Sequence, residues 1–315
     1  MIYIEMYGRM GNQMFRYAFA RAIQLKYFSN EELLINFNNV NGEKKNDEFF
    51  RDELKNLNTV DYQVYEKRGK VIANETTITQ KLCFLLSKLY VGKYDPFHMN
   101  YMEKRFQKIS GFLNKVGIYW SWVGYQKPIQ TEKNKKFISG NFEAPEYFES
   151  IRPQLLKEFT PKKPLLKHNE ELMNLIENSE SVCISVRRGD FVTNKELSEL
   201  HSVTTKDYFE KAIFEISKHV NNPKFIIFSD DVEWAKANIN FGESEFFSER
   251  GNDPVWEKLR LMYSCKHFII SNSTFSWWAQ WLSTNDKKIV ISPSRWFNND
   301  YSSLLIQDDF LKIKV

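Results

Sequence analysis

Residues 2–23, IYIEMYGRMGNQMFRYAFARAI, set the reading of the whole chain. Residues 2–7 are largely apolar and stop at Gly8, the pattern of a buried strand running into a turn. Over 14–27 the apolar residues Phe15, Ala18, Phe19, Ala22 and Ile23 recur at helical spacing, and 33–37 reads as a second strand. Strand, glycine turn, helix, strand is the opening of a doubly wound α/β domain.

The same alternation returns beyond residue 164. Helical patterns at 169–178, 205–218, 232–240, 253–265 and 276–282 are interleaved with strand runs at 181–186, 224–229, 245–247, 267–271 and 288–291, which make a second parallel α/β domain. Between the two, 137–141 reads as a strand and 145–159 as a helix. Residues 43–136 carry helical patterns around 60–65 and 79–90 without a legible order. The segment TPKKP at 160–164 combines two prolines with two lysines, a linker signal that divides the chain into domains 1–160 and 161–315.

A length of 315 residues supports two such cores. The 44 Lys and Arg against 40 Asp and Glu leave a charge of +4, too little for a dedicated nucleic-acid binder. Cys83, Cys183 and Cys265 are odd in number and widely spaced, which fits neither a disulfide framework nor a zinc site and points to a reducing, cytoplasmic setting. No apolar run is long enough to span a bilayer and no signal peptide is expected, so membrane contact would be peripheral, at the inner face. Aromatic residues make up 16% of the chain. Core packing and codon bias explain most of them, with an acceptor-side stacking surface around Trp120, Trp122 and Phe142 as the sharper alternative.

Parallel sheets bind ligands beyond the carboxyl ends of their strands, and four such ends carry polar residues. Gly8-Arg-Met-Gly-Asn-Gln13 offers glycines, helix N–H groups and the donors Arg9, Asn12 and Gln13, although a plain tight turn has the same spacing. Ser185-Val-Arg-Arg-Gly-Asp190 places two adjacent arginines on opposite faces, one for a cleft and one for a carboxylate. Phe228-Ser-Asp-Asp231 ends a buried strand in two acids, fitted to a ribose hydroxyl, a base edge or a helix cap. Ser271-Asn-Ser-Thr-Phe-Ser-Trp-Trp278 runs into a helix through hydroxyl side chains suited to phosphate, whereas its tryptophans read as core.

No two aspartates stand one residue apart, the five histidines form no i, i+4 pair, and no nucleophile-elbow motif occurs. Binding of a diphosphate by arginine and backbone amides, with no metal and no cofactor, is the economical expectation.

Together these blocks identify a resemblance. The chain resembles bacterial α-1,2-fucosyltransferases of glycosyltransferase family 11 through GRMGNQMF at 8–15, GNF at 140–142, VRRGDF at 186–191, FSDD at 228–231 and SNSTFSWW at 271–278. The resemblance covers nearly all the chain outside about 40–135. It implies two Rossmann-like domains facing each other across a cleft (GT-B), an acceptor-side first domain and a donor-binding second one. It further implies metal-free, inverting transfer from GDP-β-L-fucose to a terminal galactose of a glycan.

By the same resemblance Arg187 and Asp190 are the expected catalytic residues, Arg187 as diphosphate clamp and Asp190 as holder of its loop. Arg188, Asp230, Asp231, Ser273, Thr274 and Ser276 would bind the donor, with Gly11, Asn12 and Gln13 across the cleft. Asn141, Phe142 and His201 are acceptor-side candidates. Asp190, Glu196 and His201 are the candidates for a base. Ser185 stands where most members carry histidine and Asn141 where an aromatic is common. A transferase of another linkage and a nucleotide-sugar binder that has lost catalysis are the remaining readings.

Overall fold

The computed structural model describes residues 1–43, 51–188 and 195–315. It divides into two compact units, Met1–Thr160 and Pro161–Val315. In the first unit β1 (Ile2–Glu5), β2 (Leu33–Asn36), β3 (Tyr62–Val64), β4 (Ile118–Ser121) and β5 (Lys136–Gly140) form one parallel sheet in the order β3-β2-β1-β5-β4. The order reverses between β1 and β5, so the carboxyl ends of these two strands flank the switch point where such sheets take ligands. β1 and β4 are buried along their whole length, as expected of a sheet covered on both faces.

The second unit repeats the plan. β6 (Ser181–Val186), β7 (Lys224–Ser229), β8 (Phe246–Ser248), β9 (His267–Ile269), β10 (Val290–Pro293) and β11 (Leu311–Ile313) are parallel in the order β11-β10-β9-β6-β7-β8. Its switch point lies between β6 and β9. Trp277 and Trp278 of helix Thr274–Leu282 are fully buried, so the tryptophan block packs as core. Truncating either to Ala costs about 3–5 kcal/mol.

Four expectations change. The first helix begins at Met10 rather than Met14, because only Gly8 needs a left-handed backbone (φ 68°) and Met10–Gln13 already form a helical turn. Residues 60–65 hold the short strand β3 instead of a helix. Residues 145–159 are not one helix: Pro145 and Pro153, which lack an N–H, each sit in a first turn, and the segment breaks into two 3-10 turns before helix Arg152–Glu158. β11 escapes the sequence because two half-buried residues with an exposed lysine between them carry no apolar run.

Within the unordered stretch, helix Ile78–Val91 opens with a capping box between Thr77 and Gln80 and ends at Gly92 (φ 87°). Helix Met99–Lys115 follows it. Phe84 and Phe106 of these two helices meet Trp120 of β4 edge-on, at 5.1 and 4.9 Å between ring centres. Trp120 is therefore a core residue rather than a stacking surface.

Candidate functional site

At the switch point of the second unit, β6 runs into two arginines that pair with the two adjacent acids following β7. Arg187 Nη1 lies 2.6 Å from Asp230 Oδ2, and the backbone N–H of Arg188 donates to Asp230 Oδ1 at 2.9 Å. One carboxylate from the end of β7 thus fixes both residues. Arg188 stacks its guanidinium on the Trp234 ring at 3.6 Å and pairs with Asp231 at 3.3 Å. Asp231 also caps helix Val232–Asn238, accepting from the Trp234 N–H at 3.1 Å. Both pairs are half-exposed, so they are worth at most about 1 kcal/mol each; their consequence is orientation rather than stability. A cleft of about 480 Å³ opens beside them, lined by Ser229, Asp230, Asp231, Lys236, Ser248 and Arg250 among others.

The serine block splits in two. Ser276 lies in the interior, sharing hydrogen bonds with Ser185 at 2.5 Å and Ser271 at 3.1 Å. Its expected phosphate contact is corrected, because β9 lies beside β6 and turns this hydroxyl toward Ser185. Ser273 and Thr274 stay half-exposed at the start of helix Thr274–Leu282, where the first N–H groups lack carbonyl partners from the preceding turn. Ser273 spends no side-chain bond on capping that helix. Arg187 follows β6, and Ser273, Thr274 and a helix N-terminus follow its neighbour β9, residue types that suit an anion.

In the first unit Gln13 is fully buried. Its amide donates to the Gly8 carbonyl at 3.1 Å and the Arg51 carbonyl at 2.8 Å and accepts from the Glu53 N–H at 3.1 Å. The expected donor contact is corrected: Gln13 holds the turn to residues 51–53. Gly11 is buried in the first helical turn, whereas Asn12 is half-buried, close under Gly8.

Arg16, a residue the sequence did not single out, is buried across the switch point. It donates to the carbonyls of Tyr7 at 2.8 Å and Asn12 at 3.0 Å, and to Asn141 Oδ1 at 2.9 Å. The ends of β1 and β5 are tied through one guanidinium, and Asn141 serves that tie. Phe142 adopts φ 55° and lies buried, stacked on Phe19 at 4.0 Å with rings 2° from parallel. It is a packing residue, not an acceptor contact.

The turn that seats Phe142 presents Glu143. This half-buried carboxyl makes no hydrogen bond among the described residues, and burial pushes its pKa up to about 7 against the opposing pull of Arg16. Tyr94 lies in its field, and burial, reinforced by the charges of Glu143 and Asp95, raises the Tyr94 hydroxyl to about 12. Trp122 stands between Tyr7 and Tyr94, with ring centres 5.6 and 6.5 Å away. A poised carboxyl beside partly exposed aromatic rings has the composition of a sugar-hydroxyl site. The only sequence signal for Glu143 was an acid placed shortly after a strand-ending glycine.

His201 belongs to the second unit, with its ring edge-on to Phe297 at 5.3 Å. Burial lowers its pKa to about 4, which makes it a feeble base. Its acceptor-side assignment is corrected, since the fold places it in a packed layer there. Asp190 and the side chain of Glu196 lie outside the described residues.

The sequence pattern described as Glycosyl transferase family 11 matches residues 1–313. The chain is 29% identical over 321 residues to the Escherichia coli O-antigen biosynthesis glycosyltransferase WbnK, covering 97% of this chain and 98% of that protein. It is 29% identical over 298 residues to an Escherichia coli alpha-1,2-colitosyltransferase, covering 93% and 91%. Its fold is similar to that of Arabidopsis thaliana FUT1 in complex with GDP, with a TM-score of 0.51 at 10% identity over 94% of this chain and 71% of that one. That likeness is one of fold alone, and it places the two parallel-sheet units in the GT-B class.

Proposed function

The chain belongs to glycosyltransferase family 11, and on that premise we propose that it transfers L-fucose from GDP-β-L-fucose to the 2-hydroxyl of a galactose-terminated glycan, with inversion and without a metal ion or cofactor. The observation that carries this reading is Arg187, fixed by Asp230 at the switch point of the second sheet beside Ser273, Thr274 and a helix N-terminus. As the bond between the sugar C1 and the β-phosphate oxygen breaks, GDP leaves with the electron pair. Arg187 and the helix N–H groups stabilise that growing charge. The acceptor oxygen forms the new bond to C1, and its proton passes to the Glu143 carboxylate. Tyr7, Tyr94 and Trp122 supply apolar ring surface for the acceptor sugar. Similarity to a protein of O-antigen biosynthesis favours a surface polysaccharide as acceptor.

A second reading, transfer of colitose, is favoured by similarity to the alpha-1,2-colitosyltransferase. Colitose is fucose without its 3-hydroxyl, so only a small part of the donor pocket distinguishes them.

The test incubates the protein with GDP-fucose and β-1,3- and β-1,4-linked galactosides and determines the linkage of the product. Consumption of GDP-fucose with an α-1,2 product supports the proposal. GDP binding in titration calorimetry with no turnover of GDP-fucose, or of GDP-colitose supplied in its place, would assign a binding protein instead. Ready turnover by a well-folded Arg187→Ala protein would sink the clamp.

A further inference from the structure

Helix Ile78–Val91 has two apolar faces. Gln80, Phe84, Ser87 and Val91 are buried against its own unit. At 3.6 residues per turn, Ile78, Leu82, Leu85 and Leu89 fall on the opposite side, and all are more than half exposed, Ile78 at 85% and Leu89 at 71%. Leu86, Tyr90, Phe97, Tyr101 and Phe112 extend the exposed apolar surface onto the turn and helix Met99–Lys115. A helix apolar on opposite faces lacks a partner on one of them, and no described residue covers this one.

Charge says what the partner is. Residues 76–94 contain Lys81, Lys88 and Lys93 and no acid. Over 76–115 seven Lys and Arg face only Asp95 and Glu103, a net +5 in a chain whose total is +4. The excess positive charge of the molecule therefore sits on the hairpin that exposes the leucines. A second copy of this chain would bring +5 against +5. An anionic bilayer satisfies both features at once, its acyl boundary taking the leucines and its phosphates the lysines. The helix has 14 residues, about 21 Å at the usual rise, too short to span, and no helix among the described residues is long and apolar enough to cross a membrane.

We propose that the hairpin of helices Ile78–Val91 and Met99–Lys115 docks the protein onto an anionic membrane surface, with Leu82, Leu85 and Leu89 entering the interface and Lys81, Lys88 and Lys93 contacting lipid phosphates. The proposal stands apart from the transfer reaction, because vesicle binding is read without donor or acceptor.

The experiment is co-sedimentation of the full chain with vesicles of phosphatidylglycerol and phosphatidylethanolamine, and with vesicles of phosphatidylcholine alone. The wild type pellets with the anionic vesicles, binds the neutral ones weakly, and is released as salt screens the lysines. A Leu82→Ser/Leu85→Ser/Leu89→Ser variant with unchanged circular dichroism loses binding by at least about tenfold. A Lys81→Gln/Lys88→Gln/Lys93→Gln variant loses the preference for anionic lipid. The proposal is overturned if the wild type stays in the supernatant with both vesicles, or if the leucine variant binds as well as the wild type. It is equally overturned if the wild type is a dimer that the leucine variant dissolves while neither binds vesicles, which makes the face an interface between copies.

Discussion

Asp230 Oδ2 lies 2.6 Å from Arg187 Nη1, although the two residues are 43 positions apart and end different strands. The pair holds the guanidinium in place before any ligand arrives, so a diphosphate meets an oriented donor instead of a mobile one. If Arg187 clamps the departing GDP as proposed, its removal takes charge from the leaving-group side. Arg187→Ala is expected to lower kcat by about 10²–10³-fold, with thermal unfolding nearly unchanged because the pair is half-exposed. Asp230→Asn, which can still accept from the Arg188 N–H, is expected to lose less than Asp230→Ala, and steady-state kinetics of the three variants checks the order.

Glu143 accepts a proton only as the carboxylate. With its pKa near 7, kcat/KM is expected to rise with pH through that region. In Glu143→Gln the rate falls about 10²–10⁴-fold and this limb disappears from the pH–rate profile. An unaltered profile in the variant would remove Glu143 from the reaction.

The same carboxyl affects stability with a definite sign. Its pKa is higher in the folded chain than its ordinary value of 4.5, so the unfolded chain ionises first. The stability of the neutral form is present below about 4.5 and is lost as pH rises through about 7. Glu143→Gln should match the wild type in Tm at acid pH and exceed it above pH 7. Differential scanning calorimetry across that window tests the difference.

Ser276 and Ser273 lie three residues apart and should respond oppositely. Ser276→Ala leaves the buried hydroxyls of Ser185 and Ser271 short of a partner, which costs about 1–3 kcal/mol. Ser273→Ala leaves stability unchanged and weakens GDP binding. Thermal melts paired with calorimetric GDP titrations separate the two.

Gly140 takes φ 148°, and a Cβ there would stand 1.7 Å from the Ser121 carbonyl oxygen of the neighbouring strand. That oxygen belongs to the β4 backbone and cannot swing aside as a side chain would. Gly140→Ala is expected to cost more than about 4 kcal/mol, read as loss of soluble protein or a collapse of Tm.

Much of this was legible in sequence. β6 and β7 lie at 181–186 and 224–229, where the apolar runs placed them, because a parallel strand buried on both faces reads as continuous apolar residues. The functional theme of the strand ends, arginine and hydroxyls without a metal-ligand pattern, also needs only residue types and spacing, and it carried the resemblance to the family.

Tertiary structure decided which of those polar groups face outward. Gln13 and Ser276 look as available in sequence as Asn12 and Ser273, yet the first two are buried and hydrogen-bonded inside. Strand order settles this: β9 lies beside β6, and β5 beside β1, across 80 and 130 intervening residues. Arg16 and Glu143 gain their roles only there, the first by joining the ends of β1 and β5 and the second by being buried next to it. The sequence by itself determined the elements and their chemistry, because these depend on local periodicity and residue type. Solvation of each side chain depends on distant neighbours, so burial, pairing and the raised pKa of Glu143 were decided by the folded packing.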